Sequence, residues 1–247
     1  MKEKVVFCWS GGKDSALALH KIMQDDRYEV VSLLTTCNAK FQRISMHGVR
    51  IGLGEEQARS IGLPLEIIFL SERGSNEEYQ QKMTQSLLAY KARGITAVAF
   101  GDIFLEDLKA WREENLAKVG LRGIFPLWKV DTRELITEFV ELGFGSVICC
   151  VNDAYLDESS LGRTIDADFI HTLPADVDPC GEYGEFHSFA FAGPIFKNTI
   201  AYALGESVYR PLEVTHPGAS TPLDCHLPQP RAAKGFWFCD LLPVRGD

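Results

Sequence analysis

Short apolar runs alternate with longer amphipathic stretches through roughly the first 150 residues. Residues 5–9, 29–35, 65–70, 97–100, 124–127 and 146–151 are nearly continuous apolar runs, as strands covered on both faces require. Between them the spacing turns helical. Ala16, Leu17, Leu19 and Ile22 share a face, residues 49–60 and 76–93 read as helices, and Phe104, Leu108, Trp111 and Asn115 mark successive turns. Asp131 followed by Glu134 forms a capping box opening a helix to Leu142, and Gly94 and Gly143 end two of these helices. Strand and helix alternate about five times, which predicts an α/β fold with a parallel five-stranded Rossmann-like sheet and helices on both faces. That sheet is expected to end near residue 151.

After residue 151 the pattern changes. Residues 152–163 are polar and loop-like, and from Glu185 a period of two puts Glu185, His187, Phe189 and Phe191 on one side of a strand. A helical turn is expected at 199–204, and residues 212–215 and 236–242 are expected to pair as strands around a proline-rich loop. The chain thus divides into an N-terminal domain over 1–151 and a smaller C-terminal α+β domain over 152–247.

The first strand meets Ser10-Gly11-Gly12-Lys13-Asp14-Ser15 at its carboxyl end, directly before the first helix. At such a junction the first helical N–H groups lack partners and the macrodipole is positive, so an anion is welcome. The paired glycines let the backbone approach a phosphate closely. Lys13 adds a point charge, and Ser10 and Ser15 add hydroxyl donors. The loop is not a P-loop, because Phe7 stands where that motif needs its first glycine and Asp14 where it needs Ser or Thr. The carboxyl ends of the other strands carry further candidates. Thr35 and the polar stretch from Cys37 to His47 are set to meet a base, ribose or substrate. Gly101 and Asp102 end the fourth run, where Asp102 either caps the next helix or faces the nucleotide.

The second concentration of chemistry is Cys180-Gly181-Glu182-Tyr183-Gly184-Glu185-Phe186-His187. Two carboxylates and an imidazole held by glycines suit proton transfer or magnesium, or else form a charged hairpin rim. Cys180 and His187 alone are too few for zinc, and His216, Cys225 and His226 are weak metal candidates. Arg163 forks onto a carboxylate or phosphate, or sits in a surface ion pair. Cys149 and Cys150 read as buried strand rather than a redox pair, and Glu106, Asp107, Arg112 and Glu113 as a solvated face.

Composition narrows the classes. A formal charge of −9 argues against a nucleic-acid partner, and no apolar run approaches a membrane span. Seven cysteines with no C-x-x-C pair argue against a disulfide framework, and the start has too short an apolar run for a signal peptide. A reducing cytoplasm is the expected location.

The hexapeptide resembles the pyrophosphate loop of the N-type ATP pyrophosphatases. Together with Leu156-Asp157-Glu158-Ser159-Ser160-Leu161-Gly162-Arg163 and with 180–187 continuing to Gly193-Pro194, it resembles the diphthine–ammonia ligase family. The stretch 101–108 resembles a bacterial subgroup. That resemblance implies an adenine nucleotide alpha hydrolase-like domain, and ATP with magnesium as cofactors. It also implies adenylation of a carboxylate acceptor (a small molecule or a protein residue) followed by transfer to ammonia or an amine, in a possible homodimer. It implies that Ser10, Gly11, Gly12, Asp14 and Ser15 hold the phosphates, with Asp14 a magnesium ligand. Asn152, Arg163, Glu182, Glu185 and His187 then lie near the activated carboxylate or ammonia. Two rivals share the loop: a tRNA-modifying adenylating enzyme, which calls for a basic face, and a nucleotide sensor without turnover.

Overall fold

The computed structural model describes residues 2–45, 47–72, 74–212 and 233–244. The first sheet is built from β1 (Glu3–Cys8), β2 (Tyr28–Asn38), β3 (Arg43–Ile44), β4 (Leu65–Leu70), β5 (Ala97–Ala99) and β6 (Arg122–Ile124). Five of these run parallel in the order β4-β2-β1-β5-β6, while β3 pairs antiparallel with the far end of β2. Alternation along β1 explains the layers. Val5 and Phe7 face a core shared with α1 (Lys13–Gln24), α2 (Ile51–Ile61) and α5 (Thr132–Glu141). Val6 faces the other way, toward α3 (Asn76–Ala92) and α4 (Glu106–Val119). Local signals act as expected: Asp131 accepts from the N–H groups of Arg133 and Glu134 at the start of α5, and Gly62 in the left-handed region ends α2.

The run at 146–151 does not join this sheet. It is β7 (Gly145–Asn152), in a second, antiparallel sheet with β8 (Phe186–Ala192), β9 (Tyr202–Pro211) and β10 (Gly235–Pro243), ordered β8-β7-β10-β9. A continuous apolar run reports burial on both faces and is silent on which sheet supplies it. The fifth parallel strand is instead the short β6. The helical turn expected at 199–204 is also replaced, because residues from Tyr202 onward pair with β10. Residues 213–215 of the other expected strand, with His216, Cys225 and His226, lie outside the described residues. A short helix, α6 (Ala167–Thr172), packs its Phe169 edge-on against Phe186 of β8.

The two sheets meet at a defined edge. β8, the terminal strand of the second sheet, lies against the turn between β1 and α1, where Ala190 N donates to Gly11 O at 2.9 Å. Among the described residues no helix is long and apolar enough to cross a membrane.

Candidate functional site

The turn after β1 is shaped by its glycines. Gly11 has φ +82°, a conformation that favours glycine. Gly12 is extended and stands at the N-cap of α1 with no side-chain cap bond. A Cβ on Gly12 would lie 2.5 Å from Cε1 of His47, so glycine is what lets that ring come close. Within the loop, Ser10 N donates to Ser15 Oγ at 3.1 Å and Gly12 N to Ser10 Oγ at 3.3 Å. An uncapped helix start behind a glycine turn is a ready anion site.

What fixes the turn comes from elsewhere in the chain. Gln57 of α2, fully buried, donates to Gly11 O at 2.9 Å and to Ala190 O at 2.7 Å, and accepts from Trp9 Nε1 at 3.0 Å. Lys13 N donates to Ser188 Oγ at 3.3 Å. The buried Lys13 ammonium donates to Asp14 at 2.8 Å and to the Cys180 carbonyl, and lies over the Phe186 ring. Burial works against its charge, but Asp14 and the other acidic neighbours outweigh this and hold Lys13 protonated.

These elements wall a cleft of about 700 Å³, a volume typical of small-molecule sites. Of the candidates, it brings together Ser10, Lys13, Asp14, Ser15, Thr35, His47, Gly101, Asp102, Glu182 and His187. Gly101, two residues beyond β5, lies so near the start of α1 that a Cβ there would meet Ser15 N at 3.0 Å. Asp102 caps nothing, since α4 begins at Glu106 after Leu105. It holds Arg112 through two bonds of 2.6 and 3.2 Å, with the guanidinium 4.4 Å from the centre of the Phe100 ring. Arg112 is therefore a cleft residue, not part of a solvated face. Burial opposes its charge, but Asp102 beside it keeps it charged.

Gly11 and Gly12 shape the turn without lining the cleft, and three further candidates stand outside it. Glu185 lies buried behind it. One of its oxygens accepts from Asp178 N at 3.0 Å and the other from Tyr183 N at 2.9 Å, so it clasps the glycine loop. It precedes β8, so only His187, Phe189 and Phe191 share the expected strand face. Arg163 pairs with Asp168 at 3.1 Å and lies over Phe169, the surface ion pair among its two readings. Asn152 is buried at the end of β7, its Oδ1 accepting from Ala154 N at 3.0 Å.

Some functional positions escaped the sequence reading yet left traces in it. Arg112 is one turn beyond Leu108 on the helix face that carries Phe104 and Asn115. Gln57 interrupts the buried stripe of Leu53 and Ile61 with a polar group, which on a core face signals a hydrogen-bonding task. Asp178, whose Oδ1 accepts from Cys180 N and Glu182 N at 2.9 and 3.2 Å, organises the loop that presents Glu182.

Residues 3–123 match the model of the diphthamide synthase N-terminal domain, and residues 131–211 that of the diphthamide synthase C-terminal domain. The chain belongs to the diphthamide synthase family. The diphthine–ammonia ligase of Rattus norvegicus is 27% identical over 64% of this chain and 61% of its own length. That of Schizosaccharomyces pombe is 31% identical over 43% of this chain and 18% of its own. The matches thus span less than two thirds of these relatives. Among solved structures, a predicted subunit of tRNA methyltransferase from Methanocaldococcus jannaschii has a TM-score of 0.40 at 19% identity, over 58% of this chain and 80% of that one.

In this family member the cleft's ionisable groups are displaced by burial. Burial, with Lys13 nearby and against the opposing Ser188 carbonyl, lowers His47 to about 4. His187, its ring centre 4.9 Å from that of His47, is pushed well below the ordinary histidine range by burial, with the facing His47 and Lys13 adding to the effect. Glu182 goes the opposite way. Burial and the nearby Asp14 raise it to about 8, although it accepts from Ile103 N at 3.1 Å. Asp14 is raised too, by burial, with Lys13 opposing.

Two predictions follow from the geometry. Gln57→Met keeps the volume but strands the Ala190 carbonyl and the Trp9 N–H, so unfolding stability should fall by about 2–4 kcal/mol. If the turn holds a nucleotide, as proposed below, ATP affinity should fall with it by about tenfold on loss of a preorganised loop; an unchanged affinity would mean that Gln57 only fills space. The second concerns pH. His47 stays neutral in the fold while the unfolded chain gains a proton below about 6.5, so its contribution is complete above that value and lost as pH falls toward 4. Glu182 keeps its proton in the fold up to about 8 while the unfolded chain loses it near 4.5, so its contribution is complete below 4.5 and lost as pH rises to 8. Thermal unfolding of Glu182→Gln should therefore show a gain over the native protein that grows from pH 5 to pH 8 and then levels. A gain independent of pH would contradict the assignment.

Proposed function

We propose that this chain is an ATP-dependent amide ligase that adenylates a carboxylate and transfers the acyl group to ammonia or an amine. The observation that carries the reading is the pairing of an uncapped, glycine-shaped helix start with a raised carboxyl group, Glu182, in one cleft. Membership of the diphthamide synthase family supports it.

A carboxylate resists ammonia because oxide is a poor leaving group. In the first step a carboxylate oxygen attacks the α-phosphorus of ATP, the bond to the β-phosphate breaks, and an acyl-adenylate and pyrophosphate result. Charge grows on the departing pyrophosphate, where the N-terminus of α1, the Ser10 and Ser15 hydroxyls and the buried Lys13 ammonium are preorganised to receive it. Leu34, Tyr79, Met83 and Phe100 in the cleft lining would give the base apolar company. In the second step the nitrogen attacks the acyl carbon, the bond to AMP breaks, and one proton must leave the nitrogen. Glu182, rather than the saturated Glu185, is the carboxyl group suited to take it. Its ionised form, which grows as pH approaches 8, is a stronger base toward an amine than an ordinary glutamate. His47 and His187 stay neutral beside it and serve as hydrogen-bonding groups, not as proton stores.

Magnesium fits these donors. Asp14 is raised by burial and by Asp178, and Glu182 by burial and by Asp14, so a hard cation beside them would favour their ionised forms. Magnesium commonly takes one or two carboxylates plus substrate phosphates. When bound it would neutralise phosphate charge, with Asp14 as its protein ligand.

The test follows α-labelled ATP with magnesium, ammonium and a small-molecule extract of the source organism. AMP and pyrophosphate should appear only with extract, and Asp14→Ala should lower the rate by about a hundredfold or more. Glu182→Gln should retain ATP–pyrophosphate exchange while amide formation falls about a hundredfold. Tight ATP binding with no AMP under any supplement would overturn the ligase reading in favour of a sensor.

A further inference from the structure

Beside the nucleotide cleft lies a second cavity of about 470 Å³, within the range of metabolite sites. One face of the second sheet forms its floor. The strand register aligns His187, Cys150, Phe238 and Val208 in one row across all four strands, and Asn152, Phe236 and Arg210 in the next. The opposite wall is made by the carboxyl ends of β2 and β4 and by the turn into β3, with Phe41 and Arg43. Ile44, Ser45, His187 and Phe236 line both cavities, so the two spaces adjoin along these residues.

The floor is polar in a directed way. Glu206, Val208 and Arg210 alternate along β9 and all line the cavity. Arg210 shares its row with Phe236, at the end next to the nucleotide cleft, and Leu212 beyond it lines that cleft. Glu206 stands at the far end, with the apolar pair Val208 and Phe238 between. The other charges of the cavity are already matched. Asp240 accepts from Arg50 at 3.0 and 2.7 Å and pairs with Arg43 at 2.9 Å, and Glu72 pairs with Lys40. Glu206 and Arg210 make no ion pair among the described residues.

We propose that this cavity is the acceptor subsite and that it takes a carboxylic acid with an amine at its far end. The carboxylate meets Arg210 beside the nucleotide cleft, the apolar chain lies over Val208 and Phe238, and the ammonium meets Glu206. Four residues along a strand span about 13 Å, and two long side chains leaning inward shorten that by several ångströms. An α-amino acid, whose charges sit on one carbon, cannot bridge the two ends; an ω-amino acid can. The name "acceptor" rests on the ligase reading, whereas the binding preference follows from the floor of the cavity alone.

Calorimetric titration of the full chain tests it, with ω-aminohexanoate, hexanoate and α,β-methylene ATP as separate probes. Native protein should bind ω-aminohexanoate with Kd of about 1 mM. Glu206→Gln and Arg210→Gln, both at exposed positions, should each weaken that binding about fivefold or more, as loss of a charge-assisted bond does. Hexanoate, lacking the amine, should respond to Arg210→Gln and ignore Glu206→Gln. The ATP analogue should bind both variants as it binds the native chain. No heat from ω-aminohexanoate, or binding indifferent to both variants, would overturn the subsite. If ω-aminohexanoate binds as described but the ATP analogue does not bind native protein, the cavity assignment stands and the ligase reading falls.

Discussion

The structure turns on one contact, the hydrogen bond from Ala190 N to Gly11 O, braced by Gln57 on both carbonyls. A glycine turn by itself is floppy, since glycine gives up the most backbone freedom on folding. Here the turn is treated as if it were one more strand beside β8. The edge of the second sheet, which would otherwise expose unpaired N–H and C=O groups, is covered by the same contact. One interaction therefore orders the glycine loop, protects a sheet edge and joins the two sheets. Ser188 and His187 reach the cleft only because the strand that bears them is docked in this way.

The same docking explains why the titratable groups behave as they do. Bringing β8 against α1 buries Lys13 and half-buries His47, His187 and Glu182. Burial disfavours charge on each, and the outcome depends on neighbours. Lys13 has Asp14 within bonding distance and stays charged, whereas the histidines face each other and Lys13 and stay neutral. Glu182 has a carboxylate rather than a cation as its dominant charged neighbour and rises.

Much of this was legible in the sequence, and the failures have physical causes. The parallel sheet, the anion-binding helix start at Ser10–Ser15 and the placing of His47 and Asp102 beside it follow from local pattern and from the rule that ligands bind at carboxyl ends of strands, while the family resemblance adds Glu182 and His187. Residues 146–151 were assigned to the wrong sheet because period and hydrophobicity encode burial, not partners. Glu185 looked like chemistry because a carboxylate between glycines has two uses, and only the Asp178 and Tyr183 N–H groups, brought round by the turn, select the structural one. Arg163 and Asp168 are five residues apart, and no sequence rule says that a short helix will bring them together. Arg112 was read as surface by the default for charged helical residues, a default that a facing Asp102 and Phe100 override.

Charge balance within the cleft bears on how a polyanion would be held. Lys13 is offset by Asp14 and Arg112 by Asp102, the histidines are neutral, and Glu182 is raised to about 8. The walls therefore supply little net field, in a chain whose overall charge is −9, so long-range attraction of ATP is not part of the design. Affinity for phosphate must come instead from short-range, directional donors: the first N–H groups of α1, the Ser10 and Ser15 hydroxyls and the Lys13 ammonium. Such donors act only if their geometry is fixed in advance, because reorganising them would consume the energy they supply. That requirement leads back to the bond between Ala190 and Gly11. A neutral cleft makes the rigidity of the loop, rather than the charge around it, the quantity on which function depends.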